Sequence, residues 1–317
     1  MTTGCHEVSV SSAEELMELL STRSKYFRDS PPDTWVFRGQ PDASMDLTPS
    51  AFRSGARLLP TPFQPEKDWS SWTNANQIHA EVATLMRFLF ESDGAGLVIP
   101  GDSESLRTLL NEPYKRPYGQ GLANGDTEWP HRDLLPLIAL AQHHGIATRL
   151  LDWSRSAYVA VYFAATSSIS GLVRHSHVAV WAYSLAAQAV YRGLEGPLNR
   201  LPARTPRLVM APYAENANLR AQEGVHLVIP LSKVDFQAPA ERSNFEDQLR
   251  IVHNYELAAF GGGALYKFML PTGEARALLW FLAKERVTAA RLFPGYQGAA
   301  QSVWESMLRE PPAKPAE

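Results

Sequence analysis

The chain has a single cysteine, Cys5, in 317 residues, which excludes an internal disulfide and any metal site built from several thiolates. Long apolar runs are also missing, since no stretch approaches the ~20 residues that a membrane-spanning helix needs. Neither charge is in excess. The 30 Lys and Arg oppose 33 Asp and Glu, for a formal net charge of -3, so no global attraction to nucleic acid or to an anionic membrane is available. The opening residues lack the basic start and apolar segment of a secretory leader. Together these absences predict a cytoplasmic protein with no membrane partner.

Several motifs of known chemistry are missing as well. No G-x-S-x-G elbow occurs, which removes one route to a serine hydrolase. The glycine run from Gly261 to Gly263 lacks the Lys-Ser/Thr of a phosphate-binding loop and reads as a turn. His143 and His144 are adjacent, not spaced i, i+4, and no second cluster accompanies them, so no metal is expected.

What is present fits a folded domain: 45% of residues are hydrophobic and 20% charged. Ser12 stands three residues before Glu15, the spacing of a capping box, and predicts an N-terminal helix over 11–28. Short β-branched and aromatic runs predict sheet strands at 34–38, 148–152, 177–183, 224–229 and 264–269, with "RLVMAP" a further strand candidate. Periodic segments between them predict helices at "ANQIHAEVATLMRFLFES", "DLLPLIALAQHHG" and "GEARALLWFLAKER". The stretch from about 111 to 133 carries Pro, Gly and Asn but also Trp129, Tyr114 and Tyr118, and reads as an ordered insertion. The expected architecture is one α+β domain over 1–310 with a frayed tail at 311–317. Its central sheet is expected to be mostly antiparallel and split into two short halves around a cleft, with helices outside.

The most unusual stretch is "GIATRLLDWSRSAYVAVYFAA", Gly145 to Ala165. It sets Arg149, Asp152, Ser154 and Arg155 at the entrance to an apolar run. A strand running into a helix would place Asp152 and Ser154 at the positive helix start, where anions and acids are stabilised. A structural alternative is a helix cap plus an Arg149–Asp152 ion pair that fixes the corner.

"WVFRGQ", with Phe37, Arg38 and Gly39, together with "IALAQHHGIATRLLDWSRSAYVAVYFAA" resembles the FRG domain, a bacterial family named for its Phe-Arg-Gly motif. "NANLRAQEGVHLVIP", with Arg220, Gln222 and Gly224, resembles the family's downstream element, and "RLFPGYQG" its C-terminal part. One departure is Ala157, where such sequences more often carry proline. The order of these blocks is in turn similar to that of the ADP-ribosyltransferase fold. The resemblance implies an NAD-using enzyme in which Arg38, with Gly39 and Gln40 beside it, anchors the phosphates or ribose. Asp152 and Ser154 would organise the nicotinamide pocket, with Thr148, Arg149 and Trp153 close by, and Gln222 or Glu223 would engage the ribose. Arg149 and Arg220 would bind substrate phosphate, or else serve in structural ion pairs, Arg149 with Asp152. His144 would hydrogen-bond a ribose or act as a base, or else simply cap its helix.

Breaking the nicotinamide–ribose bond develops positive charge on the sugar, so a nearby carboxylate is wanted. In a strand, only one of Gln222 and Glu223 can face the cleft. The family match favours Gln222, a neutral amide, and Asp152 would then supply the charge. Three functions follow as expectations: an ADP-ribosyltransferase with NAD as substrate, a nucleotide-sensing binding module without turnover, or a nucleic-acid-binding or processing protein. The acceptor is open among protein, nucleic acid, small molecule and water. FRG-domain proteins resemble accessory bacterial genes, which implies a toxin or phage-defence setting. One geometric condition is common to the site proposals: Arg38 and Asp152 must lie on the same side of the molecule.

Overall fold

The computed structural model describes residues 5–59, 69–111, 127–170, 175–186, 206–214, 216–231, 234–253 and 265–312. Its strands are β1 (His6–Ser9), β2 (Trp35–Gln40), β3 (Leu151–Ser154), β4 (His177–Ser184), β5 (Arg207–Val209), β6 (Gly224–Val228) and β7 (Leu265–Pro271). The helices are α1 (Ala13–Leu19), α2 (Asn74–Gly94), α3 (Glu104–Asn111), α4 (Leu135–His143), α5 (Ala157–Ser170), α6 (Ala217–Ala221), α7 (Phe245–His253), α8 (Ala275–Lys284), α9 (Ala289–Leu292) and α10 (Tyr296–Ser306). The strands form one sheet in the order β1-β7-β4-β2-β3-β6-β5. Only β1–β7 is parallel; the other pairs are antiparallel. No helix among the described residues is long and apolar enough to cross a membrane.

The mixed α+β architecture and the mostly antiparallel sheet match the sequence-based expectation; two separate halves do not. The sheet is continuous, but its β2–β3 join consists of one register pair, Phe37 with Ser154. The strand expected at 148–152 begins at Leu151, because Thr148 and Arg149 are recruited elsewhere. The Thr148 carbonyl accepts from Ala51 N–H at 2.9 Å, and Arg149 pairs with Glu81. β1 lies outside the strands expected, whereas β5 falls within the further candidate "RLVMAP" and joins the sheet as a seventh strand. The N-terminal helix stops at Leu19, well short of residue 28: turns follow, in which the Ser24 carbonyl accepts from Phe27 and Arg28 N–H. That reversal lets Phe27 pack edge-on against Trp35 and Phe37. Ser12 caps α1 by accepting from Glu15 N–H at 3.2 Å, while the Glu15 carboxylate reaches back to Ser11, one residue beyond a regular capping box.

Alternation along the strands divides the core. Phe37, Val178, Val180, Ala182, Phe268 and Leu270 pack against α1, α5 and α8. Val36, Leu151, Trp153, Trp181, Tyr183, Val225 and Leu227 face the other way, onto Phe245 and Leu249 of α7. Beside the β3-β6-β5 end, α2, α3 and α4 form a third cluster with Leu150, Val209 and Val228. Of the segments singled out earlier, Tyr114, Tyr118, Gly261–Gly263 and the tail from 313 lie outside the described residues.

Gly39 has a steric reason to be glycine. A Cβ there would stand 1.9 Å from the Ala160 carbonyl oxygen and 2.7 Å from the Ala164 nitrogen. Small residues at 160 and 164 bring the α5 backbone this close to β2. The consequence is that α5 lies directly over the β2–β3 join.

The corner holding the join is braced from behind by a buried ion pair. Arg149 Nε and Nη2 each meet a Glu81 carboxylate oxygen at 2.7 Å, with both side chains nearly inaccessible. Gln77 Nε2 and Trp129 Nε1 also donate to that carboxylate, both at 2.8 Å. The Arg149 guanidinium lies over the Phe52 ring. Such a pair is costly to break on one side, because the remaining charge is left buried and unpaired. Arg149→Leu should therefore destabilise the protein by roughly 3–5 kcal/mol, and Glu81→Leu/Arg149→Leu together should cost less than either change alone. Chemical denaturation of the three variants checks this; a double variant as unstable as the sum of the singles would show that the two charges do not act as a pair.

Candidate functional site

β2 is laddered along its whole length to β4, and β3 along its whole length to β6. Between β2 and β3 the ladder ends after Phe37–Ser154, and the strands part toward Arg38 and Trp153. Across the gap Arg38 Nη1 donates to the Asp152 carbonyl at 2.6 Å. A cleft of about 490 Å3 opens at this seam. Its floor includes Phe37, Arg38, Gly39, Asp152 and Ser154; α5 contributes Phe163 and Ser167, α4 contributes Gln142 and His143, and Asn218 and Gln222 close the far side. Arg38 and Asp152 thus share one cleft, which meets the geometric condition set from the sequence.

The charges in the cleft are held in fixed poses. Arg38 Nε is buried with no hydrogen-bond partner among the described residues. Burial lowers the Arg38 pKa, with the Asp152 charge opposing that and the Arg53 charge adding to it. A guanidinium nonetheless stays protonated, so this is a partly desolvated cation with donor capacity to spare. The Asp152 side chain is 62% exposed. Its carboxylate accepts from Gln142 Nε2 at 2.9 Å, and His226 Nε2 lies 3.4 Å away. Gln142 is oriented in turn by the Thr148 hydroxyl, which donates to its Oε1. His226 is buried, and burial holds its pKa below the usual histidine value, with Asp152 pulling upward and His143 pushing down. His143 is lowered in the same way, by burial and then by His144, against Asp152. Both rings are therefore biased toward the neutral form.

Of the residues named from the sequence, Arg38, Gly39, Asp152, Trp153, Ser154 and Gln222 border the cleft. Trp153 does so while its indole packs with Tyr183 and Phe245 in the opposite core. The Ser154 hydroxyl donates to the Gln222 carbonyl at 2.8 Å and accepts from Ser156 N–H, so it latches β3 to the loop before β6. The Gln222 side chain donates to the Leu292 carbonyl at 3.2 Å.

The remaining residues lie elsewhere. Gln40 is buried on the other face, where its Oε1 accepts from Trp181 Nε1 at 2.6 Å. Thr148 is buried and acts only through Gln142. Arg149 is consumed by Glu81, which replaces both the expected phosphate contact and the expected Arg149–Asp152 pair. His144 and Arg220 are exposed and do not border the cleft. Glu223 is exposed too, and for a different reason than strand alternation. Gln222 caps α6 and Glu223 turns the chain at φ 47, so β6 starts only at Gly224.

Sequence reasoning missed Gln142, His143 and His226. A signal existed for His226: it is a lone polar residue two positions after Gly224 in an apolar strand, and the antiparallel register sets it opposite Asp152. Choosing between His143 and His144 required the helix phase at its last turn. Gly145 at φ 84 ends α4 just after them. Among the described residues no group of three His, Cys, Asp or Glu is placed to hold a metal ion.

Residues 33–171 match the family model of the FRG domain. No curated protein and no solved structure matches the chain. The matched stretch contains β2, β3 and α5, hence both Arg38 and Asp152; Gln222 and His226 come from downstream of it.

The depressed His226 pKa makes stability depend on pH in a definite direction. The unfolded chain binds the proton near the ordinary value of about 6.5, and the folded chain resists it. Stability is therefore full above that value and falls as pH drops through it. His79, lowered by burial, and His143 act in the same sense. The denaturation midpoint should fall between pH 7.5 and 5 by an amount that His226→Gln reduces; an unchanged drop in the variant would remove His226 as a contributor.

Proposed function

We propose that this chain, which carries an FRG domain over residues 33–171, is an NAD-using enzyme of ADP-ribosyltransferase type acting in the cleft at the β2–β3 seam. The observation that carries the proposal is the meeting of Arg38 and Asp152 there. A part-exposed guanidinium whose buried Nε–H has no partner among the described residues suits a pyrophosphate, which accepts hydrogen bonds along two directions of the arginine fork. Asp152 contributes the one carboxylate among the described residues bordering the cleft. A carboxylate is the group that a positively charged sugar in the transition state calls for.

In the proposed reaction the bond from the ribose anomeric carbon to the nicotinamide nitrogen breaks, and its electron pair leaves with nicotinamide. The sugar passes through an oxocarbenium-like state stabilised by the Asp152 carboxylate. The acceptor's nucleophilic atom then bonds to the anomeric carbon and loses its proton. His143 borders the cleft with its pKa lowered by burial, so a neutral ring is available to take that proton. Gln142, held by Thr148, keeps Asp152 in position.

A second reading rests on the hydroxyl and amide of the site. Ser154 and the Gln222 side chain are both spent on backbone carbonyls, so the cleft offers a ligand fewer reactive groups than polar walls. That favours a module that binds a nucleotide without turning it over.

Purified protein incubated with labelled NAD, alone and with a bacterial lysate, separates the two. The transferase reading expects nicotinamide release and label transfer, reduced about 10²- to 10³-fold in Asp152→Asn, as for other losses of a transition-state electrostatic partner. Arg38→Ala should lose turnover too, and Arg38→Lys should recover only part of it. Far- and near-UV circular dichroism would check that the variants are folded. Full activity in Arg38→Ala and Asp152→Asn would overturn the site, and binding without any nicotinamide release would leave the sensing module.

A further inference from the structure

On the other side of the Arg38–Asp152 bridge lies a second cleft of about 400 Å3. It shares with the first only Arg38, Gln142 and Asp152. Its outer wall is the segment from Ser50 to Arg57, which brings Arg53 and Arg57 to the cleft edge. The segment is anchored where it leaves the core. Ser50 Oγ donates to the Thr148 carbonyl at 3.1 Å, Thr148 N–H donates to Ser50 Oγ at 3.0 Å, and Ala51 N–H donates to the same carbonyl at 2.9 Å.

Charge is unbalanced in this second cleft. Arg38, Arg53 and Arg57 border it, and the only carboxylate bordering it among the described residues is Asp152. That carboxylate is already engaged by Gln142 and His226. Arg53 donates Nε to the Thr48 carbonyl at 2.9 Å, which fixes the root of its side chain. Neither Arg53 nor Arg57 has a carboxylate partner among the described residues. Arg53 is also near enough to Arg38 for the two like charges to repel, beside the larger effect of burial. An anion held between them removes that repulsion. Arginine forks aimed at a common space bind phosphate oxygens with two donors at a time.

We infer that this second cleft is a phosphate subsite for the acceptor, so that donor and acceptor approach the Arg38–Asp152 bridge from its two sides. The ligand is a phosphate ester, carried either by a mononucleotide or by the end of a nucleic-acid strand. Binding of phosphate there stands on the arginines alone; its ownership by the acceptor rests on the transferase reading above. The protein's net negative charge is no obstacle, since recognition is by a local cluster facing one cleft.

Isothermal titration at low salt tests the inference with four probes: adenosine monophosphate, a single-stranded tetranucleotide with a 5′-phosphate, the same strand without it, and NAD. Wild type is compared with Arg53→Ala/Arg57→Ala, two exposed positions whose truncation leaves the core intact. The phosphate-bearing probes should bind wild type and lose about tenfold or more in the double variant, a difference of about 1.4 kcal/mol, while NAD keeps its affinity. Binding of both phosphorylated probes with little binding of the strand lacking its 5′-phosphate points to the terminal phosphate as the recognised group; equal binding of the strand with and without its 5′-phosphate would show that the diester backbone is held instead and would overturn the terminal-phosphate assignment. Equal affinities in wild type and variant, or no binding of any phosphorylated probe, would overturn the subsite. If NAD weakened as much as the other probes, the subsite would hold the donor's pyrophosphate and the acceptor assignment would fall. Failure of NAD alone to bind wild type would sink the transferase reading while leaving the phosphate subsite in place.

Discussion

After Phe37 and Ser154, the hydrogen-bond ladder between β2 and β3 stops, and a side chain takes over its work. The Arg38 guanidinium reaches across the opening to the Asp152 carbonyl. A carbonyl at a parted strand edge needs a donor, since a buried backbone acceptor left alone costs about 1–3 kcal/mol. The price of this solution is a buried Nε without a partner. Both clefts exist because of the same parting, one on each side of the bridge. Gly39 and the small residues Ala160 and Ala164 then allow α5 to lie against β2 and wall the first cleft.

The concentration of charge between Arg149 and Arg155 resolves into separate tasks. Arg149 turns inward to Glu81 and braces the corner. Asp152 turns toward the cleft, its carboxylate steered by Gln142 and His226 and its carbonyl held by Arg38. Ser154 latches the strand to the loop before β6, and Ser156 caps α5 by accepting from Val159 N–H at 3.4 Å. Arg155 reaches the Asp33 carbonyl on the segment leading to β2. Residues close in sequence therefore stitch together four different parts of the chain, and only Asp152 presents its charge to the cleft.

Much of this was legible in the sequence because periodicity and turn residues report local structure directly. The five expected strands are present, with shifted ends, and the Arg38–Asp152 proximity followed from the order of blocks. What sequence could not supply was partner choice over long separations. Arg149 and Glu81 are 68 positions apart, so the nearby Asp152 looked like the obvious mate. Strand alternation separates Gln222 from Glu223, but the left-handed turn at Glu223 places both before the strand. His226 was hidden because a single histidine in an apolar strand becomes meaningful only once the register sets it beside Asp152. β1 is a short edge strand whose existence depends on β7 being there to pair with.

The single backbone pair at the centre of the sheet has a mechanical consequence. On one side of it stand β1, β7, β4 and β2, on the other β3, β6 and β5. A molecule lodged at the seam touches both groups at once, through Arg38 and α5 on one side and through Asp152 and Gln222 on the other. It therefore serves as an additional fastener along the line where the main chain supplies least. Occupancy and rigidity are coupled at this line: ligand that binds only the closed seam stabilises it by mass action, and whatever spreads the seam weakens the grip on the ligand by the same free energy.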